Sequence, residues 1–301
     1  MGFVAYQHVE RLGEDEVNNI LDPWGESTTI IVEPKMDGTN ATVWFENGEV
    51  QAGSRRRKLT QEKDNRGFYE KVKNSQELAQ FYANPENRKY RIFGEWLVSN
   101  CVKYEQDAYN NLYIFDIIDD STGEYLPPDM WPDELSQFYI PTLDMFDLKE
   151  EKDVEGRLAR DLGLTTYKTL DGGPGEGIVI KRYGDWRNKY GHVVWAKIVR
   201  DEYKRDKHKG KRAAAQESGI ENYIAEQYIT SAYCEKEFAK FKENNLWDSK
   251  KIPQLLDNIW HEFVTEETWH IIKKYKSPVI NFSKLQRAVY FQIKQQLKEV
   301  F

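Results

Sequence analysis

Asn47-Gly48 stands between two strand-like runs, Ala41–Glu46 and Glu49–Gly53, and this pair constrains the fold more than any other local feature. Both residues tolerate positive φ, which a two-residue hairpin turn demands, so the runs on either side must pair antiparallel. A second turn signal precedes the first run. Lys35-Met36-Asp37-Gly38-Thr39-Asn40 follows the apolar stretch Thr28–Val32, and Gly38 and Asn40 suit backbone angles that other residues resist. A hairpin over those two runs is therefore expected, preceded by a buried strand over Thr28–Val32 with a lysine just after it and before a tight turn.

Further runs rich in β-branched and aromatic residues predict strands at Tyr90–Val98, Leu112–Ile118, Gly177–Arg182 and His192–Val199. Gln76–Tyr82 predicts a helix, and Asp171-Gly172-Gly173-Pro174-Gly175 a loop. Beyond Arg212 the periodicity changes. Ile252, Leu255, Leu256, Ile259 and Phe263 recur at helical spacing, as do Leu285, Val289, Ile293 and Leu297. Ser218 with Glu221, and Ser283 with Gln286, form capping-box patterns. The basic stretch Tyr203–Arg212 reads as a charged, flexible connector. The expected architecture is α+β: an antiparallel-sheet domain over residues 1–205, then a small all-helical domain over residues 206–301.

The 301 residues include 40% hydrophobic and 31% charged side chains, a balance that fits a soluble globular protein. No apolar run is long enough to cross a bilayer, and Met1–Glu10 carries no secretory pattern. Cys101 and Cys234 have no metal or redox spacing, so reduced thiols and a cytoplasmic location are expected. The five histidines form no zinc pattern; His261 and His270 are nine residues apart. Net charge is −7, yet Gln51–Lys73 holds eight basic and three acidic residues, and Lys181–Arg212 twelve basic and four acidic. Two basic segments converging in the fold would suit a polyanion. Asp119–Glu155 is the reverse, with twelve acidic and two basic residues, and the tail from Ala213 is balanced.

Short patterns follow one another in a fixed order: Lys35-Met36-Asp37-Gly38, Ser54-Arg55-Arg56-Arg57, Phe93-Gly94-Glu95-Trp96, Tyr113-Ile114-Phe115-Asp116, Glu176-Gly177-Ile178-Val179-Ile180-Lys181 and Trp195-Ala196-Lys197-Ile198. Each is weak alone; their order and spacing together are specific. Over residues 28–200 the chain resembles the covalent nucleotidyltransferase superfamily of ATP-dependent DNA ligases, RNA ligases and mRNA capping enzymes. The Lys-x-Asp-Gly-Thr-Asn form is most similar to the RNA ligase 2 type. So is a tail with helical periodicity, where a DNA ligase or capping enzyme would continue into the short strands of an OB-fold.

The resemblance implies an antiparallel-sheet, ATP-grasp-like ligase domain and a three-step reaction. Lys35 would attack the α-phosphate of ATP to give a lysyl-AMP. AMP would then pass to an RNA 5′-phosphate, and a 3′-hydroxyl would displace it. Glu33, Pro34, Asp37 and Gly38 flank the nucleophile as part of the nucleotide site. Lys181 and Lys197 would neutralise phosphate charge and assist Lys35 by like-charge repulsion. Phe115 would stack on the adenine. Glu95 would hold the ribose or, with Glu176, a Mg²⁺ or Mn²⁺ ion, and Asn40 and Arg55 would hold phosphate or the RNA end. The partners implied are ATP and RNA with 5′-phosphate and 3′-hydroxyl ends, with no membrane, for a monomer. Family members carry a second lysine where this chain has Trp195. A DNA ligase, a capping guanylyltransferase and an inactive RNA-binding relative are the alternatives.

Overall fold

The computed structural model describes residues 2–200, 219–245 and 247–301. They divide into two compact units, Met1–Arg200 and Asp201–Phe301. The expected boundary at 205/206, the Tyr203–Arg212 connector and the Ser218 cap lie outside the described residues.

The first unit is built on two five-stranded sheets. In one, the order is β1 (Glu10–Arg11), β10 (Ala196–Val199), β9 (Gly177–Lys181), β2 (Thr29–Lys35) and β8 (Asp144–Asp147). All its pairs are antiparallel except β1 with β10. In the other, β4 (Glu49–Ser54), β3 (Thr39–Glu46), β5 (Tyr90–Trp96), β6 (Leu112–Asp119) and β7 (Glu124–Tyr125) are antiparallel throughout. Asn47 and Gly48 join β3 to β4 with φ of 54° and 84°, the left-handed pair the hairpin requires. The last predicted strand is shorter than expected: Ala196–Val199 forms it, and residues 192–195 lead into it without regular strand geometry.

Side chains alternate across a strand, so each sheet has two chemically distinct faces. Ala41, Val43, Ala52, Ile92, Leu112 and Ile117 form one core with α1 (Phe68–Asn74) and α2 (Gln76–Ala83). Ile30, Val32, Ile178 and Ile180 form another with Leu158 of α3 (Val154–Gly163) and with Val17 and Ile20. The remaining faces carry the polar side chains, and they meet through ion pairs and ring contacts between Lys181 of the first sheet and Phe115 and Asp116 of the second.

The described residues of the second unit include the helices α4 (Ile220–Tyr228), α5 (Ser231–Asn245), α6 (Ile252–Tyr275) and α7 (Phe282–Gln296). The two periodic stripes meet in one core, Leu255, Ile259 and Phe263 packing with Leu285, Val289 and Ile293. Ser283 is not the cap of α7. Asn281 is, its side chain accepting from the Lys284 N–H. Asn281 sits one residue before the helix and outcompetes a serine already inside it. No helix among the described residues is long and apolar enough to cross a membrane.

Candidate active site

Lys35 is the last residue of β2. Pro34 fits beside it because β8 pairs only with Thr29–Val32, which leaves the strand at Pro34 with β9 as its one neighbour. The chain then turns through Met36-Asp37-Gly38 into β3. This turn is pinned from several directions. The Asp37 N–H donates to the Tyr104 hydroxyl at 2.9 Å, and the Val102 N–H donates to Asp37 Oδ2 at 3.0 Å. Asn100 Nδ2 donates to the Gly38 carbonyl at 2.7 Å.

Gly38 and Asn40 earn their positions differently from what the turn chemistry predicts. Neither has a positive φ. A Cβ on Gly38 would lie 2.4 Å from the Trp96 carbonyl oxygen, so glycine is required by close approach. Asn40 is already inside β3, opposite Glu95. Its Oδ1 is buried and accepts no hydrogen bond from any described residue.

Three charged side chains gather at this end of the sheets. Lys35 Nζ lies 2.6 Å from Glu176 Oε2, because β2 and β9 pair Lys35 with Gly177, the neighbour of Glu176. Glu95 Oε1 accepts from the Gly38 N–H at 2.9 Å. Burial pushes the Glu95 carboxyl up to about 7, with Glu176 and Asp37 adding to the effect and Lys35 and the Gly38 N–H opposing it. Lys35, Glu95 and Glu176 thus form one electrostatic unit.

Phe115 reaches the same side through a defect in the ladder. Phe93 pairs with Asp116 and Gly94 with Ile114, so Phe115 is a bulge residue without a partner. The bulge shifts the alternation. Ile114 and Ile117 both enter the core, and Phe115 and Asp116 both project from the opposite face. The sequence shows no trace of this bulge.

Lys181 departs from expectation. Its register partner on β2 is Ile31, four residues short of Lys35, or about 13 Å along the strand. It is fully buried and lies 2.7 Å from Glu33 and 3.1 Å from Asp116; it also donates to the Phe115 carbonyl. The sequence reading places it on the phosphates, but the structure locks it between two carboxylates. Burial raises the Glu33 carboxyl above its ordinary range, against the pull of Lys181. Lys197 is nearer to Lys35 in register, opposite Val179 on the neighbouring strand. Arg55 follows β4 in an exposed loop, its guanidinium 3.0 Å from His8 Nδ1.

Asp116 is the residue that sequence reasoning passed over, although it stands inside one of the motifs. It accepts from the Tyr6 hydroxyl at 2.5 Å, the Tyr183 hydroxyl at 2.7 Å and the Trp195 indole at 3.0 Å. Trp195, where a lysine was expected, is fully buried in this cluster. Asn100 and Tyr104 were also missed, since nothing local marks them as supports of a turn more than sixty residues away.

A family model described as RNA ligase matches residues 28–199. Similar solved structures include Naegleria gruberi RNA ligase with PPi, at 18% identity, covering 66% of this chain and 57% of that one, with a TM-score of 0.44. A mutant of the same ligase with ATP and Mn is 17% identical, with 67% and 58% covered and a TM-score of 0.45. This chain therefore spans less than two thirds of the length of those ligases. No curated protein matches it.

Proposed function

Since this chain belongs to the RNA ligase family, we propose that it seals RNA 5′-phosphate and 3′-hydroxyl ends with ATP, through a lysyl-AMP on Lys35 and an AMP-capped RNA. The observation that carries this reading is the pairing of Lys35 with Glu176 at 2.6 Å, at a strand end where Glu95 also converges. A lysine becomes a nucleophile when it gives up a proton, and Glu176 Oε2 is within reach of that proton. Lys35 Nζ then bonds to the α-phosphorus as the bond to pyrophosphate breaks.

Phosphoryl transfer needs in-line placement and charge neutralisation above all. Lys197, in register near Lys35, supplies positive charge. Phe115, brought to this face by its bulge, supplies a platform for the base. Lys181 works one layer back, holding Glu33 and Asp116 in place. The oxygen donors fit a hard divalent cation: two carboxylates, Glu176 and Glu95, and the unpaired Asn40 Oδ1. Bound there, Mg²⁺ or Mn²⁺ would neutralise charge on the phosphate oxygens.

The second and third steps follow from the same chemistry. AMP joined to the RNA 5′-phosphate is a good leaving group: the 3′-hydroxyl bonds to the 5′-phosphorus as the bond to AMP breaks. Incubation with α-labelled ATP and Mg²⁺ tests the first step. Label that survives denaturation and vanishes in Lys35→Ala is the expected result. No label in the wild-type protein, freed of pre-bound AMP, would leave an RNA-binding relative without ligase activity. Label from GTP alone would point to capping chemistry.

A further inference from the structure

The eight described residues ahead of β1, residues 2–9, cross from one sheet to the other. At one end the Gly2 carbonyl accepts from Arg91 Nη2 at 3.1 Å, and the Phe3 ring packs 6.0 Å from Trp44. At the other, the Glu10 N–H donates to the Trp195 carbonyl at 2.9 Å and the Leu12 N–H to the Lys197 carbonyl at 3.0 Å. Between these anchors stands Tyr6. Its ring lies 4.8 Å from Phe115 and 5.0 Å from Phe93. Its hydroxyl donates to Asp116 at 2.5 Å.

We propose that Tyr6 is a positioning residue of the nucleotide site, fixing the Phe115 ring on which the base stacks. This rests on the ligase reading above and extends it to a residue outside every motif. The argument begins with the bulge. Phe115 has no ladder partner, so its backbone is not held by paired strands on that side, and its ring is half-buried. A platform that must be ordered on binding weakens binding; one already ordered does not. Tyr6 supplies that order twice, by a tilted ring contact and by tying its hydroxyl to Asp116, the residue next to Phe115. Burial and the Asp116 carboxylate push the Tyr6 phenol well above its ordinary range, so it remains a neutral donor. The same segment pairs with the strand that carries Lys197, which sets base platform and phosphate cation on one frame.

The test is adenylylation of the full chain at varied ATP, with GTP in parallel, for the wild type, Tyr6→Ala and Tyr6→Phe. Tyr6→Ala is expected to raise the ATP KM by about tenfold with the maximal rate within about twofold. The KM for GTP, where GTP labels the protein, is expected to rise in step, since a stacking face does not distinguish one purine from another. Tyr6→Phe keeps the ring and holds the KM within about threefold of wild type. If Tyr6→Ala does not fold, Tyr6→Leu, which fills the space without a ring, is read by the same criteria. An unchanged or lower KM in the ring-less variant would overturn the inference, a lower one showing that Tyr6 blocks the site. A loss confined to the maximal rate would overturn it too. A wild-type protein that takes no label would overturn the ligase reading itself, a result distinct from label with an unaltered KM.

Discussion

The Trp195 indole donates to Asp116 Oδ2 at 3.0 Å inside a fully closed environment. A lysine was expected at this position. The structure instead gives Asp116 one cation, Lys181, and three neutral donors, Tyr6, Tyr183 and Trp195. A second buried ammonium would need its own counter-charge, and the carboxylates present are already engaged by Lys181. Tryptophan satisfies the acceptor without adding charge, and its ring packs 5.0 Å from Tyr183 and 5.5 Å from Tyr125.

Trp195→Phe should therefore act on stability and spare chemistry. It removes one hydrogen bond to a charged group and keeps an aromatic ring, a loss of about 2 kcal/mol. Urea unfolding should show that loss, with the adenylylation rate within about threefold of wild type. A rate that collapses in a protein of unchanged stability would place Trp195 on the phosphates instead.

Lys181 is the sharper case, because two roles predict opposite readouts. Removing the ammonium strands Glu33 and Asp116 as unpaired buried carboxylates. Lys181→Met is expected to lose about 3–5 kcal/mol of stability. Adding Glu33→Gln should restore part of it, since one uncompensated carboxylate disappears. Non-additivity in denaturant unfolding checks this. A Lys181→Met protein as stable as wild type, but unable to form the adenylate, would return Lys181 to the phosphate role.

Glu95 gives a pH dependence with a definite sign. Its carboxyl is raised from 4.5 to about 7 in the folded protein, burial being the largest cause. Between those values the folded chain holds a proton that the unfolded chain has released. The contribution is fully present below 4.5 and is lost as pH rises through about 7. Its span is about 3 kcal/mol. Unfolding in chelator-containing buffer should show this decline, and Glu95→Gln should flatten it. Added Mg²⁺ should favour the ionised form and move the decline to lower pH. A slope that neither the variant nor the cation alters would overturn the proposed role of Glu95 as a cation ligand.

What the sequence displayed was local. The Asn47-Gly48 hairpin, the strand that ends at Lys35 and the two apolar stripes of the tail all follow from neighbours within a few residues. What it concealed was either long-range or a matter of register. Tyr6 meets Asp116 across 110 positions, and Tyr104 meets Asp37 across 67. Burial of Lys181 depends on its pairing opposite Ile31, which no motif encodes. The Phe115 bulge is a one-residue shift in pairing, invisible to periodicity because the strand's apolar composition is unchanged by it. The motifs thus name Lys35 and Lys181 alike, without distinguishing the residues beside Lys35 from those set farther along the strand.

Gly38 tests how tightly the bracing of its turn holds Lys35. A Cβ there would lie 2.4 Å from the Trp96 carbonyl and 3.0 Å from Glu95 Cγ, so Gly38→Ala forces the turn outward. The Gly38 N–H then leaves Glu95, and Lys35, three residues back, moves with the turn. A displacement of ~1 Å is enough to lower a positioned reaction by about a hundredfold, and that fall is expected in the adenylylation rate. Gly48→Ala is the control. It meets no atom within 4 Å but has a φ of +84°, so it should cost about 1 kcal/mol of stability and leave the rate alone. Equal rates for the two variants would mean that the turn tolerates movement, and that Lys35 is not held by the contacts around Gly38.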